Sequence, residues 1–380
     1  MKIMFSAGEA SGDMHGANLA RVLRELDPSV ELLGMGGSLM SEAGVRIVYD
    51  INQLGVIGVG EIIRKLPFFY RLRNFLIQTM KEEKPDILVC IDYPGFNMKL
   101  IQKAKKEGIS VVYYILPTIW AWHKSRGNTI AQYTDLAVSL FPFEADMYRE
   151  MGTNVVYAGH PLLDSVHPTM TKEAAAARFG LDLHKKTVLL MPGSRVQEVQ
   201  NLLPTMLAAA EKLAHTIPEL QFLLPRASTI DTELLQSLLA SSSVPVTVGE
   251  GCVYDMMNIS TAAVAASGTA TLETALMELP TLLIYRVSTL TYWLSKFLVH
   301  LDSIGLPNII MGHRIMPELW QDEVTADGIC QVLQPLLTED SKREQLRQSM
   351  AEVRQVMGKA GAVRRIAETI LQFAKEKHTE

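Results

Sequence analysis

Short apolar runs alternate with longer stretches in which apolar residues recur every three or four positions, and the alternation continues along most of the chain. The runs at Met1–Phe5, Glu31–Met35, Asp86–Ile91, Val111–Ile115 and Leu136–Ser139 predict strands, with helices at Met14–Leu26, Pro67–Lys84 and Lys99–Glu107. The pattern restarts after Leu163. Thr171–Phe179 predicts a helix capped by Thr171, Thr187–Met191 a buried strand and Gln200–Ile217 a long helix. Strands are expected again at Gln221–Leu224, Val244–Val248, Ala262–Ala265 and Thr281–Tyr285, and from Glu339 onward the chain reads as charged helix. Strand, glycine-containing turn, helix, strand is the order of parallel βαβ units. Two such halves predict an α/β protein of two Rossmann-like, doubly wound domains facing across a cleft, with ligands outside the carboxyl ends of the strands. The expected boundaries are 1–168 and 169–355, followed by a helical tail over 356–380.

Composition narrows this picture. A chain of 380 residues, 48% apolar and 20% charged, can bury two cores. Its net charge of −5 argues against a protein whose main business is coating nucleic acid. Cys90, Cys252 and Cys330 are few, odd in number and widely spaced, which argues against a disulfide framework or a zinc knuckle and fits a reducing cytoplasm. The first residues are too short an apolar stretch for a signal peptide, and no run reaches the roughly 18 apolar residues of a membrane span. The expectation is a soluble or peripherally attached protein. A mean hydropathy of +0.13 is high for such a protein and implies an apolar surface somewhere.

Several strand-to-helix turns carry candidate chemistry. Gly8-Glu9-Ala10-Ser11-Gly12-Asp13 follows the first strand and exposes backbone amides suited to an anion or a sugar hydroxyl; a tight turn with Asp13 as helix cap fits equally. Asp92 stands at the carboxyl end of the apolar run ILVCI, where partial burial would raise its pKa toward that of a general base, although a turn or cap before Phe96 also fits. Gly193, Ser194 and Arg195 follow TVLLM and supply close backbone approach, donors and positive charge, a grip for a diphosphate or a plain turn with a surface arginine. Ser267, Gly268, Thr269, Ala270 and Thr271 follow AAVAA and open a helix whose amides could seat a phosphate, and Glu273 could take two ribose hydroxyls. The alternative there is a capping box that pairs a serine or threonine with Glu273. Asn308, His313, Arg314, Glu318 and Gln321 form a late polar group that fits a nucleotide site or an ordinary surface loop. Metal-binding, dinucleotide, Walker and nucleophile-elbow motifs are missing, which leaves metal-free group transfer as the natural reaction.

The segment Leu54–Met80 is the most unusual. Arg64, Lys65, Arg71 and Arg73 stand among Phe68, Phe69, Tyr70 and many aliphatic residues, with Glu61 alone opposing them. Basic residues beside an apolar surface suit anionic lipid, while a core helix with a basic outer face is the commoner arrangement. A second stretch, Leu290, Trp293, Leu294, Phe297 and Leu301, reads as core.

Taken together, G-E-x-S-G-D at Gly8–Asp13, I-D-Y-P-x-F-N at Ile91–Asn97, W-A-W at Trp120–Trp122 and L-F-P-F-E at Leu140–Glu144 occur in order. G-H-P at Gly159–Pro161, P-G-S-R at Pro192–Arg195, S-G-T-A-T-L-E at Ser267–Glu273 and L-P-N at Leu306–Asn308 follow. This set resembles the lipid A disaccharide synthases, bacterial inverting glycosyltransferases of GT-B fold, over nearly the whole chain. The resemblance implies transfer of sugar from UDP-2,3-diacylglucosamine to 2,3-diacylglucosamine 1-phosphate (lipid X), giving UDP and the β-1,6-linked disaccharide 1-phosphate. It implies no cofactor and a peripheral place on the cytoplasmic face of the inner membrane of a Gram-negative bacterium. By motif, Asp92 would deprotonate the acceptor hydroxyl, with Glu9 a second polar group at the reacting centre. Gly193, Ser194, Arg195 and Ser267–Thr271 would hold the diphosphate, Glu273 the ribose, and Asn308 would lie near the donor. Ser11 and Asp13 would face the acceptor, and Val56, Val59, Ile62, Ile63, Arg64, Leu66, Phe68, Phe69 and Arg71 would meet acyl chains. Arg64, Arg71, Lys124 and Arg126 are unranked candidates for the acceptor phosphate. The family's dimer exchanges C-terminal segments, so the tail would either be swapped or return within one chain. Rival readings are a UDP-sugar 2-epimerase, a transferase with another lipid acceptor, and a non-catalytic lipid-binding protein.

Overall fold

The computed structural model describes residues 1–54, 59–119, 125–286 and 303–379, with only the backbone described at 53–54 and 59–65. The chain divides into two units, Met1–Pro161 with Lys359–Glu380, and Leu162–Gly358.

The first unit holds β1 (Lys2–Ala7), β2 (Glu31–Gly36), β3 (Arg46–Asp50), β4 (Ile87–Ile91), β5 (Ser110–Tyr114), β6 (Leu136–Ser139) and β7 (Val155–Tyr157), in the order β3-β2-β1-β4-β5-β6-β7. Every pairing is parallel. β1 and β4 lie at the centre, and all five residues of β4 are fully buried, which is why this strand reads as an unbroken apolar run. Leu72, Leu76 and Met80 of the helix Val59–Glu83 and Leu100, Ile101 and Ala104 of Pro94–Lys106 cover one side of this core. On the other side the terminal helix Ala362–Thr379 packs on Ala10–Leu26, burying Ile366, Ala367, Ile370 and Ala374.

The second unit repeats the plan with β8 (Thr187–Met191), β9 (Gln221–Arg226), β10 (Val246–Glu250), β11 (Ala262–Ala266), β12 (Thr281–Tyr285) and β13 (Glu318–Trp320), in the order β10-β9-β8-β11-β12-β13. Its pairings are parallel too. In both sheets the order reverses beside the first strand of the unit, between β1 and β4 and between β8 and β11. Turns that leave neighbouring strands in opposite directions open a crevice there.

Three edge strands, β3, β7 and β13, were not expected from the pattern. They are short and partly exposed, so their apolar signal is weak. The first helix starts at Ala10, not Met14, because Glu9 keeps an extended backbone and takes the N-cap position. Ser11, Gly12 and Asp13 therefore lie on the helix rather than in the turn. Thr171 caps its helix as expected, accepting from the Ala174 amide at 3.2 Å.

Polar side chains tie several turns to the rest of their unit. Asp13 accepts from the amides of Gly37, Leu39 and Met40 at 2.7, 3.1 and 3.1 Å and so caps the short helix Ser38–Glu42. Asp255 accepts from the Thr169 amide, the Thr169 hydroxyl and the Met170 amide at 2.7, 2.8 and 2.7 Å. Arg365 spans the ends of the first unit: Nε donates to the Ala158 carbonyl at 2.8 Å, while Nη1 and Nη2 donate to Ala360 and Lys359 at 2.7 and 2.6 Å.

Asp255 is fully buried, and its removal takes the acceptor from three donors of Thr169 and Met170. Asp255→Ala is expected to lower the unfolding free energy by about 2–4 kcal/mol in urea titrations, and Asp255→Asn by less, since an amide oxygen still accepts.

Candidate functional site

In the first unit the turns after β1 and β4 meet at the reversal point. Asp92 and Tyr93 both adopt left-handed backbone, with φ of 48° and 52°. Such residues cost of order 1–3 kcal/mol each unless their surroundings hold them. Here Asn97, fully buried, donates to the carbonyls of Asp92 and Ser6 at 2.8 and 3.1 Å and accepts from the Ser6 hydroxyl at 2.7 Å. The Tyr113 hydroxyl donates to the same Asp92 carbonyl at 3.0 Å, and the Asp92 amide donates to Tyr114 at 3.0 Å. The Asp92 carboxyl group is left half-buried at the end of β4, and burial raises its pKa above the ordinary aspartate value. No side-chain cap forms at this helix, whose N-cap is Tyr93. The cap reading of Asp92 is therefore not realised.

Gly8 is required where it stands, because a Cβ there would fall inside the Tyr93 ring. Burial, then the charge of Glu9, raises the Tyr93 pKa, so Glu9 lies close to the Asp92–Tyr93 turn. Ser11 is exposed, whereas the Asp13 carboxylate is committed to the amides of Gly37–Met40. Two further groups stand at these strand ends. His15 meets Tyr114 edge-on at 6.2 Å, and His160 packs on Phe141 at 5.2 Å. Burial lowers the pKa of both, that of His160 to about 3 with help from His15, so both imidazoles are neutral at physiological pH. His160 belongs to the G-H-P motif, whereas no sequence signal pointed to His15. Arg126 exerts its charge on Tyr113 and Tyr148, which puts it near the same turn. Lys124 and Trp120–Trp122 lie outside the described residues.

In the second unit the turns after β8 and β11 meet in the same way. Arg195 is 82% exposed and bonds Glu198 at 3.0 Å, while the Thr229 hydroxyl fixes the Ser194 carbonyl at 2.6 Å. Gly193 has φ of 108°, and a Cβ there would strike the Glu198 carboxylate. Beside it, Ser267 is tied to β12 through its amide, which donates to Ile284 at 3.0 Å. The helix Thr269–Leu276 starts from Gly268, with no side-chain cap. The capping box with Glu273 is thus absent, and the first-turn amides of Thr269 and Ala270 have no carbonyl behind them within the helix. Thr271 is fully buried, its hydroxyl donating to the Gly268 carbonyl at 2.8 Å, so it shapes the turn from beneath.

Glu273 is half-buried, and burial raises its pKa. The Tyr254 hydroxyl donates to its Oε1 at 2.9 Å, a partner no sequence signal announced. Asn308 is spent inside the protein. It accepts from the amides of Ile315 and Met316, both at 2.8 Å, and donates to the Met316 carbonyl at 2.9 Å and to Glu318 at 2.6 Å. Glu318 in turn accepts from the Gly305 amide at 2.9 Å and from Trp320 Nε1 at 3.0 Å. Any influence of Asn308 on a ligand passes through that buried turn.

The helix Val59–Glu83 sorts its apolar residues by face. Phe68 and Phe69 are half-buried and pack on the first core, Phe69 meeting Phe96 at 6.2 Å. Leu66 and Tyr70 are 56% and 58% exposed and line, with Pro67 and Arg71, an open groove of about 720 Å³. Arg73 lies over the Tyr70 ring at 4.4 Å. Val56 lies outside the described residues, as do the side chains of Val59, Ile62, Ile63 and Arg64 and the stretch from Leu290 to Leu301. Among the described residues, no helix is long and apolar enough to cross a membrane.

Residues 3–372 match the family model described as lipid-A-disaccharide synthetase. The chain is 42% identical over 372 residues to the lipid-A-disaccharide synthase of Geobacter sulfurreducens, covering 98% of this chain and 97% of that one. It is 38% identical over 372 residues to that of Myxococcus xanthus, with coverage of 98% and 97%. Among solved structures, UDP-GlcNAc 2-epimerase from Neisseria meningitidis bound to UDP-GlcNAc superposes with a TM-score of 0.64 at 15% identity, covering 98% of this chain and 100% of that one. The calicheamicin glycosyltransferase CalG4 gives 0.58 at 11%, covering 100% and 98%. At such identities these two bear on the fold alone, the pairing of two parallel-sheet α/β units found in GT-B proteins.

Proposed function

This chain belongs to the lipid-A-disaccharide synthase family of glycosyltransferases, and from that premise we propose which substrates it joins and which residues join them. The donor is UDP-2,3-diacylglucosamine and the acceptor 2,3-diacylglucosamine 1-phosphate. Asp92 takes the proton from the acceptor 6-hydroxyl as that oxygen attacks C1 of the donor sugar. The C1–O bond to the diphosphate breaks with its electron pair, UDP leaves, and the configuration at C1 inverts to β. The observation that carries this reading is the Asp92 carboxyl group, held at the end of β4 by a turn rigid enough to keep two left-handed residues and raised in pKa by burial. A base of that kind is aimed and poised for proton transfer.

The second unit stabilises the leaving group. Charge gathers on the β-phosphate as the bond breaks, and Arg195 with the amides at Thr269 and Ala270 is suited to receive it. Arg195 is exposed and, among the described residues, its side chain is bound to Glu198 alone, so exchanging that partner for a diphosphate costs little. Glu273 binds the ribose. Arg126, close to the Asp92 turn, is our choice among the basic candidates for the acceptor phosphate.

Both substrates carry acyl chains, and the Leu66–Arg71 groove supplies an apolar floor with a cation at its edge. We assign this face to an anionic membrane surface, the enzyme lying peripherally on the inner membrane. Leu66 and Tyr70 point outward, so they rather than Phe68 and Phe69 make that contact.

Four outcomes test the reading. Asp92→Asn should reduce transfer at least about a hundredfold, measured by mass spectrometry of the disaccharide product, while UDP affinity in calorimetry stays unchanged. Because a base works ionised and burial raises the Asp92 pKa, turnover of the parent should fall on acidification with its inflection above the ordinary aspartate value of about 3.9. Arg195→Ala should weaken UDP binding by about ten- to a hundredfold, and retained affinity would remove Arg195 from the diphosphate site. The pair Leu66→Ser and Tyr70→Ser should cut flotation with anionic vesicles at an unchanged melting temperature, whereas Phe68→Ser with Phe69→Ser should lower the melting temperature first.

A further inference from the structure

Glu273 does not stand alone. Its Oε1 accepts from the Tyr254 hydroxyl at 2.9 Å, and its Oε2 has no hydrogen-bond partner among the described residues. Tyr254 belongs to the helix Val253–Asn258, and its ring packs on the apolar cluster of Phe179, Met191, Met256 and Leu279. The ring is thus set from behind by the core, and its hydroxyl is committed to Glu273. A carboxylate held by one oxygen turns the other outward in a fixed direction.

We propose that Tyr254 is the positioning residue of the nucleotide site: it clamps one oxygen of Glu273 so that the other meets a ribose hydroxyl. The inference rests on the reading of Glu273 as the ribose acceptor and adds how that carboxylate is aimed. Burial alone favours a protonated Glu273, which could accept fewer hydrogen bonds, and the Tyr254 donor opposes this. Without the phenol, the side chain would have to be ordered by the ligand itself, at the expense of affinity. A ribose contact exists equally in the bound substrate and in the transition state, so its loss belongs in KM rather than kcat.

The test compares UDP with 2′-deoxy-UDP by calorimetry on the full chain, in the parent, Tyr254→Phe and Glu273→Gln, with donor KM and kcat measured alongside. Phenylalanine keeps the ring that packs on the core, so the variant folds. The parent should prefer UDP by about tenfold or more, since a hydrogen bond to a charged group is lost with the deoxy sugar. Tyr254→Phe should weaken UDP by about three- to tenfold, shrink that preference, and raise donor KM with kcat nearly kept. Glu273→Gln should lose most of the preference. If Glu273→Gln loses the preference while Tyr254→Phe keeps the parent's affinity, preference and KM, the positioning role is overturned and the ribose reading stands. If Glu273→Gln keeps the full preference, the ribose reading fails and the inference falls with it. A drop in kcat at constant KM and constant preference in Tyr254→Phe would equally overturn it.

Discussion

A parallel sheet covered on both faces must finish every strand away from water, and most of this protein's buried polar chemistry answers that constraint. Amides and carbonyls released at the strand ends need partners in a place where an unmet group costs about 1–3 kcal/mol. Asn97 closes the ends of β1 and β4, Asp13 the turn after β2, and Glu318 with Asn308 the turn leading into β13. Wherever one of these side chains has been committed, the neighbouring backbone is rigid. The carboxyl group of Asp92 is presented from the turn that Asn97 holds, and Arg195 from the turn that the Thr229 hydroxyl fixes. Rigidity and reactivity therefore share the same few turns.

The two units solve the same geometric problem with opposite electrostatics. At the reversal point of the first sheet a carboxyl group is partly removed from water, so its proton affinity rises. At the reversal point of the second sheet the groups offered are an exposed guanidinium and the unfilled amides of a helix start, both suited to an anion. One turn offers a carboxyl group of raised proton affinity and the other offers donors to an anion, which are the two demands of the displacement we propose.

What the sequence disclosed follows burial. β4, β8 and β11 are buried from end to end, so ILVCI, TVLLM and AAVAA announce them, and the loops that follow are located with them. β3, β7 and β13 are edges, with neighbours on one side only and side chains that suit either state. The motif loops identified the neighbourhood of the site but not the direction of each side chain. Asp13 and Asn308 belong to those motifs, yet both point inward, because a polar residue in a glycine-rich loop reads the same whether it meets a ligand or a backbone amide. Phe68 and Phe69 were expected outside. They face the core because a helix carries residues 68, 69, 72 and 76 on one side and 66 and 70 on another, and the hydrophobic content of the segment does not choose between the faces. Tyr254 lies 19 residues from Glu273 and in a different helix, so only the folded chain brings them together.

Arg365 donates to a backbone carbonyl 207 positions away, because the first unit is built from both ends of the chain and the second is inserted within it. This sets an order of manufacture. On the ribosome the inserted unit is wholly synthesised while the outer one still lacks its last helix. Until Ala362–Thr379 emerges, the apolar stripe of the helix Ala10–Leu26 has no cover, and the segment before Pro161 has no guanidinium to fasten it. A chain cut short by some twenty residues would keep an intact second unit and an unfinished, sticky first unit. Damage at the end of the message would therefore be felt at the beginning of the protein.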